Sequence, residues 1–359
     1  MNGRACLTAA GVGLVLVGVA RGQFKPGHLF VTDPAGHQCQ KAEDFGWDRI
    51  WEVDPETGEV ALFAELRDEW CGFIVDIAFT PDGERLRVAS FFGHMILDLD
   101  SRGNVSVALD QNDGIFAPLW IAFDSEANFF VSQESSDSTI MRFPPNGAPP
   151  TVLASVSEGL PSFNAPITMG GDGYLYVGAG YELLRINPEG ETSEFGVLAP
   201  DVRITSLASD HLGFVYVGFR TGEIERYVAG DSDSRQQLIS DLCANSQSVD
   251  SLAVHPSKRL LYASCADRLW EIDLQNKEIT ALPEVPDVSY AILGIAPTPS
   301  RTVPVPGASD LGVIAIAFCF LTAGCFALGR RSRNAHIAEP LPVSTKNLPR
   351  CRRSQERTP

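Results

Sequence analysis

Basic residues are scarce in this chain of 359 residues: 28 Lys and Arg stand against 45 Asp and Glu, a formal charge of −17. Eight of those cations fall between Arg330 and Pro359, so the sequence before Arg330 is more acidic still. A surface of that sign repels phosphate backbones and argues against nucleic acid as a partner. Cys-x-x-Cys spacing is missing, which argues against a structural zinc site. Also missing are a Gly-x-Ser-x-Gly elbow, a phosphate-cradling loop and a His-Glu-x-x-His helix, the signatures of common hydrolase, nucleotide-binding and metalloprotease chemistry. No Leu-x-x-Cys pattern follows the first apolar run, so a lipoprotein is not expected. Glycine (32) and proline (24) are plentiful but follow no collagen-like period, as suits many short strands joined by turns.

Both ends of the chain look like targeting segments. Residues 1–20 read as a signal peptide, with Arg4 in a positive n-region, an apolar stretch from Leu7 to Val19 and a small-x-small site at Gly18-Val19-Ala20. Leu311 to Leu328 is an uncharged apolar run long enough to span a bilayer, preceded by Asp310 and followed by Arg330, Arg331 and Arg333. The positive-inside rule then places the middle of the chain outside the cytoplasm and the basic tail inside. The expected organisation is a signal at 1–20, a folded region at 24–298, a Pro-rich linker at 299–310, a transmembrane segment at 311–329 and an unstructured basic tail at 330–359.

The middle region repeats. An apolar or aromatic run ending in Val or Ala recurs at residues 28–31, 85–88, 128–131, 174–177, 214–217 and 260–263, with last residues 57, 43, 46, 40 and 46 apart. All but the first are preceded by another apolar strand and a turn rich in Pro, Asp, Gly or Asn, residues that supply the conformations tight hairpins need. Third strands such as Arg268-Leu-Trp-Glu-Ile and fourth strands such as Val60-Ala-Leu-Phe-Ala follow. Four strands per unit at this period predict an all-β propeller of six blades. The first unit lacks its inner strand, and a solitary apolar segment, Ala291 to Ala296, remains after the sixth. Pairing the two closes the ring and leaves no sheet edge open.

Asp76-Ile-Ala-Phe-Thr-Pro-Asp-Gly, Gly171-Asp-Gly-Tyr-Leu-Tyr-Val and Arg49-Ile-Trp-Glu-Val-Asp-Pro-Glu-Thr-Gly resemble the six-bladed propellers of the NHL and gluconolactonase-like (senescence-marker-protein) group. That group includes lactonases, strictosidine-synthase-like proteins and pure binding modules. The resemblance to its lactonases implies a divalent-metal site at the channel mouth, whose candidate ligands here are Asp76, Asn164 and Asp250. Oxygen ligands of this kind suit calcium, so the cofactor expectation is none, or calcium. No Glu stands at a matching position. Val303-Pro-Val-Pro-Gly-Ala-Ser-Asp-Leu-Gly, the apolar run and the arginines resemble a bacterial PEP-CTERM or IPTL-type sorting tail. This implies a sorting enzyme acting at 303–310 and display at the cell surface; a permanent single-span anchor is the alternative.

Four cysteines fall in the folded region. In a propeller, the loops between second and third strands and those between blades open on the same face. This places Cys39 beside Cys71 and Cys243 beside Cys265, so Cys39–Cys71 and Cys243–Cys265 disulfides are expected, consistent with an oxidising compartment. The longest loop on that face, Asp33 to Asp48, offers His37, Lys41, Glu43, Asp44 and Trp47 as ligand-contacting residues. The functional expectation is an extracytoplasmic, non-catalytic binding module that engages a macromolecule or small ligand through this face. A calcium-dependent lactonase-like hydrolase is the alternative.

Overall fold

The structure is a computed structural model that describes residues 23–32, 48–66, 72–134, 139–155, 165–197, 202–243, 247–286, 288 and 291–297. Among them are six antiparallel sheets of four strands each. From inside outward, blade 2 consists of Ile74–Phe79, Leu86–Ser90, Met95–Leu99 and Val105–Leu109. Blades 3 to 6 repeat this order from inner strands Pro118–Phe123, Ile167–Met169, Ile204–Ser209 and Ser251–Val254. Each recurring run found in the sequence is a second strand. The inner strands touch one another in the order of the blades, and the last touches the first, so the sheets form a closed ring.

Closure is made by the two ends of the folded region. Ile292–Ile295 is the inner strand of blade 1 and pairs antiparallel with Leu29–Thr32, with Leu29 opposite Ile295 and Thr32 opposite Ile292. The register continues beyond the strands, where the amide of Ala296 donates to the carbonyl of His28 (3.0 Å) and that of Gly27 to the carbonyl of Ala296 (3.0 Å).

Burial follows the radius. The inner and second strands of blade 5 are almost wholly buried, whereas the outer strand Ile279–Ala281 of blade 6 is exposed throughout. The third and fourth strands of blades 1 to 5 all carry a register shift near the start of the third strand, for example between Ile96 and Leu97. One extra residue there increases the local twist and turns the outer strand away from the flat geometry that invites edge-to-edge pairing.

The seams between blades are tied by side chains bonded to the neighbouring backbone. Asp48 of blade 1 accepts from the amides of Gly72 (3.0 Å) and Phe73 (3.2 Å), which lead into blade 2. Asp76 of blade 2 accepts from the amide of Ile121 in blade 3 (2.8 Å). Ser132 donates to Ala165 O at the next seam, Ser209 to Met169 O, Ser206 to Val249 O and Ser264 to Ala291 O. Where a glycine replaces the seam-facing side chain, neighbouring side chains fill its place. A Cβ added at Gly218 would lie 2.2 Å from Ser206 Oγ and 2.8 Å from Val249 Cγ1.

One turn gives the ring a pH response. The turns leaving the inner strands are held by side-chain acceptors: Asp124 takes the amides of Glu126 and Asn128, and Asp210 those of Leu212 and Phe214. Blade 6 has His255 at this corner, and its Nδ1 accepts from Ser257 (3.1 Å) and Lys258 (3.0 Å). Burial, aided by the Lys258 charge, holds this imidazole below its ordinary pKa of 6.5. The unfolded chain therefore binds the proton more readily, so this contribution to stability is complete above pH 6.5 and lost as the pH falls below it. Calorimetric melting between pH 7 and pH 5 is expected to show a smaller drop for His255→Asp than for the natural chain. Equal drops would refute this role for His255.

Candidate functional site

The structure separates the predicted site residues into groups. His37, Lys41, Glu43, Asp44 and Trp47 lie outside the described residues, as do Asn164, Cys39 and Cys71. Cys243 and Cys265 are joined by a disulfide, with Cα atoms 5.6 Å apart, which fastens the loop entering blade 6 to the end of its second strand. Asp76 and Asp250 both sit, buried, at the beginning of inner strands.

These two acids are engaged with the protein itself. Asp76 lies just past a register shift in its strand, which aims its carboxyl across the seam. Oδ1 accepts from the amide of Ile77 (2.9 Å) and Oδ2 from that of Ile121. Burial pushes its pKa up to about 8, outweighing the two amide bonds that favour the charged form. Asp250 Oδ2 accepts from the amide of Ala266 (2.6 Å), and Oδ1 is bonded to the Ser248 hydroxyl. Among the described residues, no three His, Cys, Asp or Glu side chains converge as a metal site would require. A divalent cation needs several anionic or carbonyl oxygens turned toward one point. Asp76 and Asp250 direct their carboxyl oxygens to backbone amides and a serine hydroxyl, and Asn164 lies outside the described residues.

The inner strands enclose a channel of about 370 Å³. Ile77, Ile121, Ile167, Leu207, Leu252 and Leu293 contribute from the six blades. Asp76 and Trp120 lie toward the strand beginnings, and Pro81, Pro256 and Pro297 toward the strand ends. The wall is largely apolar, and its hydroxyls at Thr168, Ser209 and Ser251 are used in seams.

The feature that sequence reasoning missed lies on the face where the strand beginnings emerge, at the seam of blades 2 and 3. Phe73, His94 and Ala117 have φ of 62°, 50° and 44°, a left-handed conformation that costs non-glycine residues energy. Hydrogen bonds join the three segments: Ala117 N–H donates to His94 Nδ1 (2.9 Å), Phe91 N–H to Phe73 O (3.0 Å) and His94 N–H to Phe91 O (3.2 Å). Two phenylalanines are thereby presented to solvent, Phe92 and Phe116, each 55% exposed. The Phe116 ring stacks on His94 at 4.6 Å between centroids, and Phe92 packs against Phe91 (4.9 Å) and Phe73 (5.6 Å). The paired aromatics Phe91-Phe92 between two strands were the available signal, since a tight hairpin turn favours Gly, Asn or Asp there.

No protein-family model matches the sequence, and no curated protein matches it. Solved structures do. A chain from the crystal structure of a nidogen/laminin complex superposes with a TM-score of 0.59 at 14% identity, covering 75% of this chain and 98% of that one. A streptogramin B lyase superposes with a TM-score of 0.50 at 15% identity, covering 68% and 81%. The chain is a six-bladed β-propeller. At these identities the likeness concerns architecture alone, and the neighbours of this propeller include both a component of a protein complex and an enzyme.

Proposed function

We propose that the propeller is a non-catalytic binding module that engages a protein partner through the aromatic platform of blades 2 and 3. The observation that carries this reading is the left-handed trio of Phe73, His94 and Ala117. Backbone strain of this sort persists only where the surroundings enforce it, and here it holds two large apolar rings in water. Rigid exposed aromatics are the side chains that anchor protein interfaces. A neighbour of the same fold was solved in a nidogen/laminin complex, which agrees with such a role. The alternative, a calcium-dependent lactonase-like hydrolase, has in its favour only the lactonase resemblance and the placement of Asp76 and Asp250 on inner strands.

The setting in which this module works is part of the same reading. The N-terminal apolar run and the Cys243–Cys265 bond support export, and residues 303–329 support membrane anchoring or surface sorting. Among the described residues no helix is long and apolar enough to cross a membrane, and 311–329 lies outside them.

Photocrosslinking tests the reading. A benzoylphenylalanine at position 116, in the protein's own cells, is expected to give a discrete protein adduct that disappears when Phe92→Ser is added. The same probe at Ile279, exposed on the outer strand of blade 6, is expected to give none. Equal labelling from both positions, or calcium-stimulated lactone hydrolysis by the purified chain, would overturn the proposal.

A further inference from the structure

The opposite face of the ring holds a second feature of different chemistry. Between the turns of blades 5 and 6 lies a groove of about 330 Å³. Its fixed charges are Arg226, Lys258 and Arg259 against a single carboxylate, Asp210. With Glu56 paired to Lys258 at the rim, three cations stand against two carboxylates, still an inversion of the balance in a chain carrying −17. Field lines concentrate in such a concavity, so a small positive excess attracts anions there even when the surrounding surface is negative.

The lining carboxylate is engaged within the protein, and one of the three cations, Arg259, is left without a partner among the described residues. The Asp210 carboxylate is turned into the protein, where it accepts from the amides of Leu212 and Phe214 and from the Tyr216 hydroxyl (2.8 Å). Burial and this carboxylate raise the Tyr216 pKa, so its hydroxyl remains a donor to Asp210. Arg226 is held in place, its guanidinium 4.6 Å from the centroid of the Phe214 ring and bonded to the Gln236 side chain. Lys258 is paired with Glu56 at the rim toward blade 1. Arg259 is exposed, and its guanidinium has no partner among the described residues. A planar guanidinium fixed on a ring, with a second, unpaired one lining the same groove, is suited to the oxygens of a sulfate or phosphate group. Phe214, Val254 and Leu274 supply apolar wall beside these cations.

We infer that this groove is a binding site for an oxyanion ester, a sulfate or phosphate group carried on a ring. The charged group sits between Arg226 and Arg259, and the ring lies against Phe214 and Leu274. The site is independent of the aromatic platform, which belongs to the other face.

Isothermal titration of the full chain with 4-nitrophenyl sulfate, 4-nitrophenyl phosphate and the neutral 4-nitrophenyl glucoside tests this. Saturable binding of one or both esters is expected, the tighter one identifying the source of the anion, with the glucoside at least about tenfold weaker. Arg259→Glu is expected to weaken ester binding by about tenfold or more without lowering the melting temperature, because this side chain holds nothing else among the described residues. Phe92→Ser is expected to leave ester binding unchanged, which separates this site from the platform. No saturation below about 10 mM, an equal affinity for the glucoside, or unaltered binding by Arg259→Glu would each overturn the assignment.

Discussion

A full-length chain with prolines at Ile292 and Gly294 is expected to lose cooperative unfolding altogether. Proline has no amide hydrogen to give to a sheet ladder, and its ring fixes φ. Both positions lie within the inner strand that closes blade 1, opposite Thr32 and Phe30. Their loss opens the second strand Leu29–Thr32 to water and removes Leu293 and Ile292 from the apolar clusters they join. It also breaks the seam with blade 6, where Leu293 N–H donates to Ser251 Oγ (3.1 Å). A fold whose sheets each lean on two neighbours tolerates the loss of surface detail far better than the loss of one link. Circular dichroism melting is the measurement: a broad, sloping transition is expected in place of a sharp one. A sharp transition within a few degrees of the natural chain would mean that the ring is held shut elsewhere.

Asp76→Ala is expected to destabilise the folded chain by about 2–5 kcal/mol, because it leaves two buried amides, those of Ile77 and Ile121, without their acceptor. Asp76→Asn restores one acceptor but turns an NH₂ toward the second donor, and is expected to cost roughly half as much. The pH dependence separates a structural tie from a metal ligand. The folded pKa, near 8, is above the ordinary carboxyl value of 3.8. The folded chain therefore holds the proton more tightly than the unfolded one. The stabilisation from this group is full below pH 4 and is lost progressively as the pH rises toward 8. Denaturant melts at pH 5 and pH 8 are expected to differ less for Asp76→Asn than for the natural chain, with calcium shifting neither. A calcium-dependent rise in stability that vanishes in Asp76→Asn would instead return this residue to the lactonase reading.

The strands were legible in the sequence because each is a local pattern. A run such as Phe214-Val-Tyr-Val217 alternates aromatic and β-branched residues with no charge, as suits a strand buried on both faces, and the turn residues around it punctuate the chain at blade spacing. The closing strand was legible by subtraction, since one unit lacked an inner strand and one segment lacked a unit. The roles of Asp76 and Asp250 were not legible. An aspartate at a strand beginning looks the same whether it will hold a cation or a neighbouring backbone, and only the register shift beside Asp76 decides that its carboxyl meets Ile121. The platform was hidden for a related reason. Phe73, His94 and Ala117 are unremarkable residue types, and their left-handed backbone arises from bonds between three loops far apart in sequence. The basic groove was obscured by the overall charge, which says nothing about where the remaining cations gather.

Blade 1 also sets a schedule for the molecule's assembly. Its second strand is among the first parts of the chain to be synthesised and its inner strand is the last of the ring, so the first sheet must wait for nearly the whole domain to be made. At synthesis rates of roughly 5–20 residues per second, that delay is on the order of tens of seconds. During this time Leu29–Thr32 offers an unpaired, apolar edge to any passing strand. The contact that gives the finished ring its integrity is thus the one with the greatest loop-closure cost, and the nascent chain is most prone to aggregate before that contact is made.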